Sequence, residues 1–170
     1  MSLIREERPE DAEAIGAMLV TAFGRQAEAR LVARLRASTR IVCAMVAEEK
    51  SRVLGHVVFS LIAAESGDSV IPLLALAPLA VLPAFQRLGI GSALVSAGLA
   101  RCRELGHTRV IVIGDAVFYG RFGFVPASSF GLSCPFPVPV EAFMAIELEP
   151  GVFAQVSGVV RYGNEFEDLE

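Results

Sequence analysis

The short stretch Gln86-Arg87-Leu88-Gly89-Ile90-Gly91 limits the fold of this chain more than any other. A long apolar segment, Ile71 to Leu82, precedes it and has the character of a strand. After it, Ser92 to Leu105 carries apolar residues at helical spacing. A strand therefore enters, a glycine-bearing turn follows, and a helix begins with its first N–H groups directed back into the turn. Those amides have no partner inside the helix, and the aligned peptide dipoles place partial positive charge there. Gly89 and Gly91 lack a Cβ, so a phosphate can come close to the backbone. Such a segment suits a phosphate-bearing ligand.

Two common phosphate-binding turns are excluded by residue identity. A dinucleotide-binding turn requires a third glycine three residues after Gly91, where this chain has Leu94. An ATP-binding loop requires Gly-Lys-Ser/Thr, and the sole lysine is Lys50. What remains is Gln/Arg-x-x-Gly-x-Gly/Ala after an apolar strand.

Composition narrows the class further. A chain of 170 residues fits one domain with a sizeable core. With 54% hydrophobic and 20% charged residues, disorder is not expected. The longest apolar run is interrupted by Pro72, Pro78 and Pro83 and is too short to span a bilayer. The N-terminus is charged where a signal peptide would be apolar, so a soluble cytoplasmic protein without a membrane partner is expected. A net charge of −4 and the lack of a basic run argue against nucleic acid as the main partner. Arg30, Arg34, Arg36 and Arg40 gather on one segment and read as a solvated helix face. Cys43, Cys102 and Cys134 lack metal-ligand spacing, and no metal is expected. Cys102 falls in an apolar helical pattern, whereas Cys134, between Ser133 and Pro135, reads as an exposed thiol that is not a nucleophile.

Periodicity gives the rest of the order. Ser2 to Glu6 reads as an edge strand, and Pro9 with Glu10, Asp11 and Glu13 starts a helix that buries Ile15, Met18, Leu19, Ala22 and Phe23 and breaks at Gly24. A second helix spans 26–37. Strands follow at 41–48 and 53–63, with turns at 49–52 and 65–68. The central strand, 70–82, contains Pro78, which removes a ladder donor and predicts a bulge or a parting of strands. After the 92–105 helix, closed by Gly106, come a buried strand at 110–113, a short helix capped by Asp115, a strand starting at 123–125 and a last clear strand at 143–148. Prolines after Phe130 predict a rigid extended segment; Phe130, Phe136 and Phe143 either wall an acceptor pocket lacking charge or cover the sheet, with core packing the default.

With Leu79-Ala80-Val81-Leu82-Pro83 leading into it, the glycine turn resembles motif A of the GNAT superfamily of acyl-CoA N-acyltransferases. A second box, Phe118-Tyr119-Gly120-Arg121-Phe122-Gly123-Phe124, is similar to the family's Tyr-x-x-x-Gly-Phe, and Gly114-Asp115 matches a Gly-Asp pair found in a broad bacterial subgroup. The resemblance covers about residues 3 to 150 and implies one α+β acyltransferase domain with a C-terminal extension, 151–170. Its mostly antiparallel twisted sheet would have a splayed central strand pair and about four flanking helices. The resemblance also implies an N-acetyltransferase that uses acetyl-CoA as cosubstrate and transfers its acetyl group by direct attack of a primary amine on a small-molecule or peptide acceptor. The cofactor would lie on Leu79, Ala80, Val81, Gln86, Arg87, Leu88, Gly89, Ile90, Gly91 and Ser92. Tyr119 would be the catalytic acid, because a phenol of pKa about 10 can protonate or hydrogen-bond a departing thiolate. No general base is assigned: Leu73-Leu74-Ala75-Leu76-Ala77 carries no carboxylate, and His56, Asp115 and Glu65 read as a core histidine, a helix cap and a turn residue. An acyl-CoA-binding sensor or scaffold without turnover stays open as an alternative, as does a binder of another nucleotide. The apolar composition is compatible with a homodimer.

Overall fold

A computed structural model describes residues 2–169. They form nine strands, four α-helices and five 3-10 segments, an α+β architecture with a mixed sheet. The chain divides into two compact units. The first takes the described residues up to Ser60, then Ala77–Arg101 and those from Asn164 onward; the second takes Leu61–Leu76 and Cys102–Gly163.

In the first unit, strand β1 (Leu3–Glu6) leads through a 3-10 turn, Pro9–Asp11, into helices α1 (Ala12–Phe23) and α2 (Ala27–Ala37). Strand β2 (Ile41–Glu49) pairs antiparallel with β1 and with the first part of β3 (Arg52–Ser66). The end of β4 (Ser69–Val81), a 3-10 turn at Pro83–Phe85 and most of α3 (Ile90–Glu104) complete it. Ile15, Leu19, Leu31 and Leu35 of α1 and α2 are buried. Side chains alternate between faces along a strand. On β3, Gly55 and Phe59 face α3, and the glycines make the approach close. A Cβ on Gly55 would stand 2.9 Å from Leu94 Cδ1 and 3.0 Å from the Ala80 carbonyl oxygen, and one on Gly98 would overlap the Phe59 ring. Space, rather than turn geometry, explains a glycine within this strand and another within this helix.

In the second unit, the remainder of β3 turns at Gly67-Asp68 into the start of β4. Strand β5 (Arg109–Ile113), helix α4 (Ala116–Gly120) and strands β6 (Val125–Pro126), β7 (Leu132–Ser133), β8 (Phe143–Glu147) and β9 (Gly158–Arg161) follow. Strand β5 pairs parallel with β4 at Leu74↔Val110 and Ala75↔Ile111, and antiparallel with β8. The β4–β5 register ends at Ala75, shortly before Pro78, the residue without an N–H to donate. The Ala77–Pro78 peptide is cis.

Several expectations change. Helix α3 begins at Ile90 rather than Ser92, so Gly91 and Ser92 belong to its first turn. Phe23 is exposed. Glu65 lies on β3 and pairs with Arg161 at 3.3 Å rather than sitting in the turn. The last strand is β9, which joins the end of β3 antiparallel and β7 parallel. Gly158 has φ +112, and a Cβ there would collide with the Glu65 carbonyl oxygen, so a side chain would prevent this pairing. Phe130 stacks on Phe153 at 4.7 Å and Phe136 lies against Tyr162 at 5.0 Å, so the proline-rich stretch is fastened by chain that follows it. Arg30, Arg34 and Arg40 are exposed, as a solvated face requires, but all four arginines of this segment are also ion-paired. Arg30 and Arg34 reach Asp168, Arg40 reaches Glu165, and Arg36 reaches Glu7. Among the described residues no helix is long and apolar enough to cross a membrane.

Candidate functional site: the glycine turn and the tyrosine box

The glycine turn is fixed from both ends. On the strand side, Leu82 N–H donates to the Leu54 carbonyl at 2.9 Å, and Phe85 N–H closes the 3-10 turn onto Leu82 at 2.8 Å. The Gln86 side chain donates to the Val81 carbonyl at 3.1 Å, so this side chain is engaged in bracing the turn. Arg87 and Gly89 adopt left-handed backbone, φ +63 and +87. The first intrahelical bond of α3 runs from Ala93 N–H to Gly89 C=O at 3.0 Å. The amides of Ile90, Gly91 and Ser92 precede it and sit at the positive end of the helix dipole. A Cβ on Gly89 would meet nothing within 4 Å, so the space over the turn is open. Ile90 and Leu94 rest against Gly55, which anchors the helix start to β3. Leu88, Gly89 and Ile90 also line a cleft of about 400 Å³ with Phe85, Leu54 and Ile4. Leu79 and Val81 are half-buried, with Ala80 buried between them.

Tyr119 belongs to the second unit and is also held from several directions. Asp115 caps α4: its Oδ1 accepts the N–H groups of Val117 at 2.7 Å and Phe118 at 3.2 Å. This is the role expected for it, and it leaves the carboxylate occupied. Tyr119, on the single turn of α4, is 8% exposed and makes edge-on ring contacts with Phe118 at 4.9 Å and Phe124 at 5.6 Å. Burial pushes its phenol up to about 12, so the group is a protonated donor throughout the neutral range.

The other titratable groups are engaged elsewhere. His56 is fully buried in the first unit, with Nε2 2.8 Å from Glu7 Oε1. Arg36 Nη2 donates to the same carboxylate oxygen at 2.8 Å. Burial lowers His56, an effect that Glu7 only partly offsets. Burial alone would raise Glu7, but the hydrogen bonds from His56 and Arg36 prevail and hold it at about 2. This is a structural cluster, as the sequence suggested for His56. Cys43 and Cys102 are buried, and partial burial raises the Cys134 thiol, which disfavours the thiolate.

A strand, a braced left-handed glycine turn and a helix N-terminus thus stand in the first unit, and a capped, buried tyrosine stands in the second. An acetyltransferase (GNAT) domain model matches residues 40–126, just over half of the chain, and takes in both features. The chain belongs to the GNAT family of acetyltransferases. As a GNAT protein it is an enzyme of the N-acetyltransferase class. It is 35% identical over 165 residues to YhbS of Escherichia coli K12, an uncharacterised N-acetyltransferase, covering 96% of this chain and 98% of the relative. It is 38% identical over 135 residues to YjhQ of the same organism, another uncharacterised N-acetyltransferase, covering 77% and 74%. The crystal structure of Escherichia coli YhbS in complex with CoA superposes with a TM-score of 0.90 at 34% identity, covering 98% of this chain and 92% of that one. A Brucella melitensis GNAT acetyltransferase in complex with acetyl-CoA superposes with a TM-score of 0.81 at 33% identity, covering 98% of both chains.

Sequence reasoning missed the structural partners of the GNAT turn and box. Gly55 and Gly98 had a legible signal, since glycine inside a strand or helix is costly unless something approaches closely. In the sequence, Gly114 reads only as half of the Gly-Asp pair. Glu7 and Arg36, which face His56, carried no local signal at all.

Proposed function

We propose that this GNAT enzyme binds acetyl-CoA and transfers the acetyl group to a primary amine, on a small molecule or a peptide, by direct attack. The observation that carries the reading is the turn itself: Gly89 at φ +87, with open space where a Cβ would go, immediately before the N-terminus of α3. The pyrophosphate would rest on the amides of Arg87, Leu88, Gly89, Ile90, Gly91 and Ser92, with Gln86 bracing the turn. The pantetheine arm would follow the backbone of Leu79, Ala80 and Val81, in the manner of an added strand. The relatives crystallised with CoA and acetyl-CoA support this choice of cosubstrate.

Acetyl-CoA supplies an acyl thioester, already activated toward amines. The chain contributes a backbone amide near Ala80 or Val81 to polarise the carbonyl oxygen. Tyr119 contributes the proton taken up by the departing thiolate. The new bond is N–C, the bond broken is C–S, the proton lost by the amine passes to solvent, and Tyr119 regains its proton from solvent. Direct attack, without an acyl-enzyme, is supported by the state of the three cysteines: two are buried and the third has a raised pKa. A Tyr119 pKa of about 12 keeps the acid intact well beyond neutrality. We therefore expect kcat/KM to rise with pH as the acceptor amine deprotonates, with no descending limb below about pH 10.

The test is a thermal-shift titration with acetyl-CoA beside ATP and NAD, on wild type and Gly91→Glu. At 100 times its dissociation constant a ligand stabilises by about 2.7 kcal/mol. We expect stabilisation by acetyl-CoA alone and its loss in the folded variant; no response to acetyl-CoA would remove the cosubstrate assignment. Tyr119→Phe should then lower kcat by about 10²-fold with KM for acetyl-CoA held within twofold. The second reading, an acyl-CoA sensor without turnover, is favoured by the absence of a carboxylate in Leu73–Ala77. Thiol release from acetyl-CoA with any amine would exclude it.

A further inference from the structure

Gly114 stands between β5 and the cap of α4, and its φ is not in the left-handed region, so its backbone would accept any residue. Its side-chain position would not. A Cβ on Gly114 would come 2.5 Å from Cε2 and 3.1 Å from Cδ2 of Tyr119, well inside contact distance. The ring has little freedom to retreat, being flanked edge-on by Phe118 and Phe124. Gly114 itself is pinned, since its N–H donates to the Ala142 carbonyl at 2.9 Å. The next residue, Asp115, caps the one-turn helix that carries Tyr119, and its carbonyl accepts the Tyr119 N–H at 3.0 Å. A single helical turn is not stable by itself, so its orientation depends on such restraints.

We infer that Gly114 and Asp115 are positioning residues for the reaction: Gly114 provides the seat for the Tyr119 ring and Asp115 fixes the turn that carries it, so that together they aim the phenol hydroxyl. This rests on the reading of Tyr119 as the proton donor. Neither residue contributes a group to the reacting atoms. Their effect runs through the placement of one oxygen, where an error of about 1 Å is enough to cost about 10²-fold.

The experiment compares Gly114→Ala, Asp115→Ala, Asp115→Asn, Tyr119→Phe and the double variant Gly114→Ala/Tyr119→Phe. Turnover is followed as thiol release from acetyl-CoA, with the amine that wild type uses best from a panel of polyamines, aminoglycosides and amino-acid amides. Gly114→Ala should lower kcat at least tenfold with KM for acetyl-CoA within twofold, and should cost nothing further once Tyr119 is phenylalanine. Asp115→Asn, which retains a capping acceptor, should keep most of the activity that Asp115→Ala loses. Equal losses from Gly114→Ala with and without the Tyr119 hydroxyl would overturn the proposal, because the glycine would then act on the fold rather than the acid. If Tyr119→Phe is as active as wild type, the assignment of the acid is what has failed. A readout independent of turnover uses 3-fluorotyrosine labelling in a Tyr162→Phe background, which leaves Tyr119 as the one fluorinated residue of the chain's two tyrosines. Gly114→Ala should shift its fluorine resonance while acetyl-CoA still stabilises the protein. An unmoved resonance would overturn the proposed seat.

Discussion

At the scale of single residues, glycine serves distinct purposes that a sequence prints with the same letter. Gly89 is required by its backbone: φ is +87 and there is open space where a Cβ would go. Gly98 is required by its neighbour, because a Cβ there would overlap the Phe59 ring. Their alanine variants should therefore behave differently. Gly89→Ala should cost about 1–2 kcal/mol from the left-handed backbone. At Gly98, alanine gains up to about 1 kcal/mol of helix propensity, but overpacking against an aromatic ring costs about 1–3 kcal/mol, so the net change should be destabilising. Urea denaturation of both variants measures this, and a stabilised Gly98→Ala would show that the ring yields easily. The glycine turn and the tyrosine box could be read from sequence because their chemistry is local: the residues that matter lie within a few positions of one another. The distinction between the glycines could not, since it depends on what lies opposite.

At the scale of elements, β1, α1, α2 and β3 are joined by charges that the sequence left unassigned. Arg5 holds Asp11 through two hydrogen bonds, at 2.8 and 3.0 Å, and Glu7 takes both His56 and Arg36. The Arg5 guanidinium, aided by the Arg8 amide, keeps Asp11 at about 2, down from 3.8, and Glu7 falls from 4.5 to about 2. A carboxyl with a depressed folded pKa adds stability above its unfolded value and loses it as pH falls toward the folded one. Those two contributions should therefore fade between about pH 4.5 and pH 2. His56 acts earlier and with the same sign. Its folded pKa lies below 6.5, so the unfolded chain binds the proton more readily and stability declines as pH drops below 6.5. Denaturant midpoints measured from pH 8 to pH 3 should fall in two stages. His56→Phe should flatten the upper stage and, by removing one of the two hydrogen bonds that depress Glu7, weaken the lower one without abolishing it, since Asp11 keeps Arg5; an unchanged upper stage in that variant would contradict the assignment. The sequence placed these elements through their apolar periods, which repeat along the chain. It could not pair Glu7 with His56, because nothing in either segment encodes the other's position.

For the molecule as a whole, the C-terminal segment shows the same division most clearly. Residues 164–169 return to α2, where Phe166 is 4% exposed and Asp168 pairs with Arg34 at 2.9 Å. Both partners of that pair are partly exposed, so Asp168→Ala should cost less than about 1 kcal/mol, and less still in high salt. Phe166→Ala removes a buried aromatic ring and should cost about 3–5 kcal/mol. Equal effects in denaturation would mean that charge rather than burial fastens the segment. The sequence by itself determined the order of helices and strands up to β8 apart from the short β7, the glycine turn, the capped tyrosine box and the family, because each is written in neighbouring residues and in short periods. Only the tertiary structure decided that Arg30 and Arg34 of α2 pair with the tail while Arg36 pairs with Glu7, that β9 extends the sheet and that Gly114 lies against the Tyr119 ring. The physical reason is that ion pairing, strand addition and close packing act between atoms brought together by the whole fold, and no short-range pattern records which segments will meet.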